Sequence, residues 1–183
     1  MVAVCEIHSC GDNAVEIVFK LSKPDKNELC LKKEKNVPKY KEPYIKLPDG
    51  NLLHGTMTTM KAIARTTKCD ILGKDALEEA EVQQWMEYCL TKIDASQNDK
   101  SEMKEIIKLL NTFLVDKVYF VGYSLTLADL LIFSMLFNVY ENLTYEEKEK
   151  VINVSRWFNE VQNVLCASDK RRGKVAFVRN LLY

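Results

Sequence analysis

The stretch Tyr119–Tyr140, YFVGYSLTLADLLIFSMLFNVY, decides how this chain folds. Thr126-Leu-Ala-Asp129 has the spacing of a capping box, in which the threonine hydroxyl accepts the Asp129 amide and the carboxylate reaches back to the Thr126 amide. Leu125 before the cap and Leu130 one turn in stand where a hydrophobic staple closes. The carboxylate also lies at the positive end of the helix dipole, worth about 0.3–1 kcal/mol. From Leu127 to Tyr140 the residues are apolar almost all the way round, broken mainly by Ser134 and Asn138. Such a helix has no solvent face and belongs at the centre of a core. It is too short and too interrupted for a bilayer. Asp129 could serve as a catalytic acid; its position favours a buried structural cap.

Working outward, the chain after Ala76 reads as helical throughout. Val82, Trp85, Met86, Cys89 and Ile93 recur at helical spacing, as do Met103, Ile106, Ile107, Leu110 and Phe113. Asp99 with Glu102 suits the start of the second helix. Beyond the central helix, Thr144-Tyr-Glu-Glu147 repeats the capping-box spacing. Asn153 opens another helix, with Val154, Trp157, Phe158 and Val161 as its inward stripe. Arg156 falls roughly 100° from Trp157 on the helical wheel, at the edge of that stripe or in solvent. The tail sets Lys170, Arg171, Arg172, Lys174 and Arg179 around an apolar Val175-Ala-Phe-Val178.

Before Gly73 the pattern is mixed. Val2 to Ile7 reads as a strand, and Ala14 to Leu21 as a short helix with Val15, Val18 and Phe19 on one face. Ser22 to Glu42 reads as a lysine-rich loop; between Lys20 and Lys46 nine lysines face four acids. A solvated surface loop is the plain reading, and a phosphate or RNA contact the alternative. Tyr44–Leu47, Asp49-Gly50 and Asn51–Leu53 form a hairpin, with Asp-Gly supplying positive backbone angles. Pro43, directly before its first strand, suits a cis peptide that holds the strand entry. Thr58 to Arg65 is a short helix with Met60, Ile63 and Ala64 inward.

Basic and acidic side chains balance at 26 each among 183 residues, so no global field argues for nucleic acid. Six scattered cysteines without a CxxC, with only two histidines, argue for reduced thiols and against zinc. No leader, membrane span or lipidation motif is seen, so a cytosolic protein without cofactors is expected.

Val121-Gly-Tyr-Ser-Leu-Thr-Leu-Ala-Asp129 resembles the capping motif in the helical half of the glutathione-transferase fold. The resemblance implies a small, degenerate thioredoxin-like α+β half over residues 1–72 and an all-helical half over 76–183. Activity in that fold needs a hydroxyl or thiol after the first strand, where Ser9 or Cys10 stands. It also needs an acid or glutamine followed by serine to grip the γ-glutamyl end of the tripeptide. The matching pair here is Gly55-Thr56, and a lost charge-assisted hydrogen bond is worth about 1.5–3 kcal/mol. An active transferase using Ser9 or Cys10 is therefore the alternative rather than the main reading.

A closer resemblance rests on Glu81-Val-Gln-Gln-Trp-Met-Glu-Tyr88, Asp116-Lys-Val-Tyr119, Glu146-Glu-Lys-Glu-Lys150, Asn153-Val-Ser-Arg-Trp-Phe158 and the terminal residues from Val175 to Tyr183. These are similar to the glutathione-transferase-like auxiliary subunits of the animal multi-aminoacyl-tRNA synthetase complex. The resemblance covers about residues 42–183. It implies a non-catalytic scaffold that docks methionyl-tRNA synthetase, glutamyl-prolyl-tRNA synthetase and other subunits of the complex, with no membrane or direct nucleic-acid contact. It also links the chain to nuclear stress signalling. Two docking faces are implied. One is the dimer-type face of this fold, with Thr58, Lys61 and Arg65 on the short helix and the helix Ala80–Ile93; the other is the helix start with Asn153, Ser155 and Arg156.

Overall fold

The computed structural model describes residues 5–9, 13–25, 29–32, 42–47, 49–168 and 174–177. Contacts divide the chain into two units, Met1–Lys74 and Asp75–Tyr183. In the first, strands β1 (Cys5–His8), β2 (Leu29–Lys32), β3 (Tyr44–Lys46) and β4 (Leu52–His54) form one sheet in the order β2-β1-β3-β4. The helix α1 (Asn13–Ser22) carries the chain from β1 to β2, which pair in parallel as such a crossover requires. The pairs β1–β3 and β3–β4 are antiparallel.

Strand alternation sorts the two faces of this sheet. Ile7 pairs with Ile45, and both are buried, as is Leu29. One residue along, Glu6 faces Lys46 and bonds Lys32 at 2.6 Å, while the His8 ring stacks on Tyr44 at 4.4 Å. Helix α2 (Thr56–Thr66) buries Thr59, Met60, Ile63 and Ala64 and packs with α1.

The region read as one lysine-rich loop contains β2, whose Leu29 is buried at an edge of the sheet. The short alternation Leu-Cys-Leu-Lys is masked by the lysines around it. No cis peptide occurs among the described residues, so Pro43 is trans. Its strand entry is held instead by pairing, the Gly55 amide donating to the Pro43 carbonyl at 2.9 Å. Among the described hairpin residues only Gly50 takes a positive φ; Asp49 instead accepts the Asn51 amide at 3.0 Å. The first strand begins at Cys5 among described residues, and Val2 to Val4 lie outside them.

The second unit is helical: α3 (Ala76–Tyr88), α4 (Lys100–Phe113), α5 (Leu127–Asn142), α6 (Tyr145–Lys150) and α7 (Ile152–Ser168). Helix α3 opens on Asp75, whose Oδ1 accepts the Leu77 and Glu78 amides, and α4 opens on Asp99 in the same way. Past Tyr88 the helix widens into a π-type turn over Cys89–Ile93, closed by the Asp94 amide on the Cys89 carbonyl at 2.9 Å. The wider turn keeps both Cys89 and Ile93 buried. Burial pushes the Cys89 thiol up, which leaves it an inert core group.

Helix α5 runs through the centre as its composition dictates. Leu127 through Phe133, Leu136 and Tyr140 are buried, and Asn138, Glu141 and Asn142 are exposed. Against it pack aromatic rings on α7 and the loop before α5. Phe120 contacts Trp85 at 4.7 Å and Trp157 at 5.0 Å, while Phe158 lies 4.4 Å from Phe133 and 4.5 Å from Tyr140. Such pairs add about 0.5–1.5 kcal/mol each beyond the area they bury. No helix among the described residues is long and apolar enough to cross a membrane.

Candidate functional site

The capping box at the head of α5 is formed, and its carboxylate does more than cap. Asp129 is fully buried. Its Oδ2 accepts the Thr126 amide at 3.0 Å and the Thr126 hydroxyl at 2.8 Å. Its Oδ1 accepts the Phe120 amide at 3.0 Å and the Trp157 indole N–H at 2.8 Å. Burial pushes this carboxyl above the usual range, and the four donors pull it back. With every lone-pair direction engaged and no opening to solvent, the group is arranged as a hub, not as an acid poised toward a substrate.

Ser9 is buried, and its hydroxyl donates to Glu16 on α1 at 3.3 Å. Cys10 lies outside the described residues. Gly55 caps α2 at φ 104, a backbone region that a Glu or Gln would adopt only under strain. Thr56 begins the helix beside it. No cluster of side chains suited to a metal occurs among the described residues.

The helix start at α7 is built differently from its sequence. Asn153 was expected to open the helix, but the cap comes from α4. Asn111 Oδ1 accepts the amides of Asn153 at 2.9 Å and Val154 at 3.3 Å, and the Asn153 side chain returns a bond to the Asn111 carbonyl at 3.2 Å. The cap is thus supplied across a helix pair, which sequence spacing cannot signal. Ser155 is buried and donates to the Lys148 carbonyl at 2.7 Å, joining α7 to α6. Of the docking candidates here, Asn153 and Ser155 therefore hold the helix in place.

Arg156 is exposed, and its Nη2 donates to the carbonyls of Leu114 at 2.8 Å and Lys117 at 2.9 Å. It reaches neither an acid nor the Trp157 ring in these contacts. It satisfies carbonyls at the end of α4, where a cation complements the helix dipole. Both bonds are on one nitrogen, and among the described residues Nη1 and Nε donate to no partner. The guanidinium stands between two clefts. One of about 390 Å³ is lined by Val115, Asp116, Lys117, Val118, Trp157 and Glu160. The other, of about 190 Å³, is lined by Tyr145, Lys148, Ile152, Asn159 and Phe177 among others. Val115, Val118 and Ile152 are large apolar residues more than half exposed around it.

On α2, Thr58 and Arg65 are exposed and Lys61 is half-buried; on α3 the buried residues are Val82 and Met86. Of the basic tail, Lys174 is described, whereas Lys170, Arg171, Arg172 and Arg179 lie outside the described residues. Asn111, Lys148 and Gln162 were missed as positioning residues. Gln162 alone left a trace in the sequence: it follows Phe158 by one helical turn, a polar group on the inward stripe.

The family model described as "Nuclear-export cofactor Arc1p" matches residues 78–165. A eukaryotic translation elongation factor 1 epsilon-1 from Cricetulus griseus is 39% identical over 144 residues, covering 77% of this chain and 80% of that protein. A bifunctional glutamate/proline–tRNA ligase of the same organism is 26% identical over 160 residues, 86% of this chain but 10% of the ligase. Among solved structures, a Bombyx mori glutathione transferase superposes with a TM-score of 0.74 at 16% identity, covering 91% of each chain. That likeness establishes the fold: a thioredoxin-like half followed by the helical half of a glutathione transferase. With the sequence relatives beside it, the chain belongs to the eukaryotic translation elongation factor 1 epsilon-1 family.

Proposed function

We propose that the protein is a non-catalytic scaffold of the multi-aminoacyl-tRNA synthetase complex, docking the glutathione-transferase-like modules of methionyl- and glutamyl-prolyl-tRNA synthetases. The observation that carries this reading is the surface around Arg156. Exposed valines and an isoleucine surround a guanidinium held by backbone carbonyls with donors to spare, and arginine beside apolar residues is the composition of an interface centre. Similarity to part of a glutamate/proline–tRNA ligase supports a partner of like fold for this face. The α2 surface with Thr58, Lys61 and Arg65 is the candidate for the methionyl enzyme. The absent tripeptide anchor at Gly55 and the engagement of Ser9 with Glu16 weigh against a transferase. In this reading the protein works in the cytosol, with nuclear stress signalling as a second role.

The test is affinity purification of the full chain from native cytosol, with identification of what co-purifies and calorimetry against each isolated synthetase module. Both synthetases should be recovered and each module should bind. Retention on immobilised glutathione without either synthetase would favour the transferase instead.

A further inference from the structure

Residues 174–177 form no helix or strand and are held through their backbone by side chains. Gln162, 3% exposed, accepts the Val175 amide on Oε1 at 2.9 Å and donates from Nε2 to the Val175 carbonyl at 3.1 Å. Its amide group thereby does what a neighbouring strand does, satisfying both hydrogen-bonding groups of one residue. Nε2 also reaches Asn159 at 3.2 Å, which fixes the amide plane. One residue on, Lys148 Nζ donates to the Ala176 carbonyl at 3.2 Å.

The side chains of the segment alternate. Val175 is buried, Ala176 is exposed, and Phe177 lies 6.0 Å from Phe158 and 6.4 Å from Tyr140. Backbone bonds plus pockets for every second side chain are how an extended peptide is recognised on a sheet edge. Here side chains of three helices, α5, α6 and α7, perform that task. Lys148 is unusual in the same place: it is 8% exposed, and its ammonium meets a carbonyl and, at 5.7 Å, the Phe177 ring. Desolvation lowers its pKa. A lysine desolvated to grip a carbonyl of a tail segment is a poor way to stabilise a helix pair, and a good way to read a peptide backbone.

We propose that the groove formed by Gln162, Lys148, Phe158 and Tyr140 is a recognition site for an extended apolar-x-aromatic chain segment, occupied here in cis by residues 175–177. The site accepts the same segment in trans when the tail is displaced. The proposal stands apart from the docking reading, although Phe177 shares a cleft lining with Arg156.

Hydrogen exchange of the Val175 amide in the full chain tests it, with an amide-capped peptide of residues 172–179 as competitor. The tethered tail acts at an effective concentration of the order of millimolar, so the competitor is titrated beyond that. The expected results are a protected amide in the parent and exchange at least tenfold faster in Gln162→Leu. The peptide should accelerate exchange in the parent, and a scrambled peptide should not. An amide that exchanges at the unprotected rate, or one that Gln162→Leu leaves unchanged, overturns the proposal. So does an exchange rate that the matched peptide moves no more than the scrambled one. Should Gln162→Leu fail to fold, the peptide arm on the parent still decides.

Discussion

The indole N–H of Trp157 donates to Oδ1 of Asp129 at 2.8 Å, fastening the second turn of α7 to the first turn of α5. The same carboxylate holds the Phe120 amide, so one buried group locks three segments of the helical unit. Asp129→Asn keeps the shape but offers one acceptor oxygen to four donors. A buried polar group left unpaired costs about 1–3 kcal/mol, so a loss of at least about 2 kcal/mol in denaturant unfolding is expected. Trp157→Phe should also destabilise, and the two changes should couple by about 0.5–3 kcal/mol in a double-mutant cycle. Strict additivity would mean that the bond contributes nothing.

Asn111 should behave as a helix cap although it lies 42 residues from the Asn153 amide it holds. Asn111→Ala is expected to lose about 1–2 kcal/mol, the usual worth of a strong cap. Asn111→Asp retains the acceptor and adds a negative charge that favours the N-terminus of α7 but opposes the C-terminal end of α4, so thermal unfolding should show stability near the parent's. An aspartate variant as unstable as the alanine one would show that the cap is not what matters there.

Arg156→Ala should have two separable effects. Loss of the bonds to Leu114 and Lys117 is expected to lower stability by about 0.5–1.5 kcal/mol for each bond. Binding to the glutamyl-prolyl synthetase module should weaken by at least about 2 kcal/mol, the size of an interface hot spot. Binding to the methionyl synthetase module should persist. Equal loss of both partners in calorimetry would make Arg156 a purely structural residue.

If the proposed non-catalytic role is right, no glutathione conjugation above background is expected with standard electrophiles: the resemblance to glutathione transferases puts Gly55 where they carry an acid or glutamine. Turnover that vanishes in Cys10→Ala would overturn the non-catalytic reading.

Glu147 offers a titration check on the smaller capping box at α6. The Thr144 amide at 3.0 Å, then its hydroxyl and Lys104, hold this carboxyl below the ordinary range. Its folded pKa lies under the unfolded value of about 4.3. The stability it supplies is therefore present above that value and is lost as pH falls through the folded pKa. The Glu147 side-chain signal in an NMR titration should move toward the ordinary value in Thr144→Ala, which removes the hydroxyl but not the amide. An unshifted titration in the parent would show that the box is open in solution.

The sequence by itself determined the elements whose causes are local. Thr126 with Asp129 and Thr144 with Glu147 are three residues apart, so both capping boxes can be read from spacing. The all-round apolarity of α5 could only mean a central position, and the stripe Val154, Trp157, Phe158 and Val161 could only face inward. What the tertiary structure decided are the contacts between residues that are far apart in the chain. Nothing near Asn111 indicates that it caps α7, nothing near Arg156 names the α4 carbonyls as its acceptors, and Leu29 gains a strand only by lying beside β1. The physical reason is that a buried donor or acceptor is satisfied by whichever group packing brings within about 3 Å, and packing is settled by the whole core rather than by neighbours in sequence.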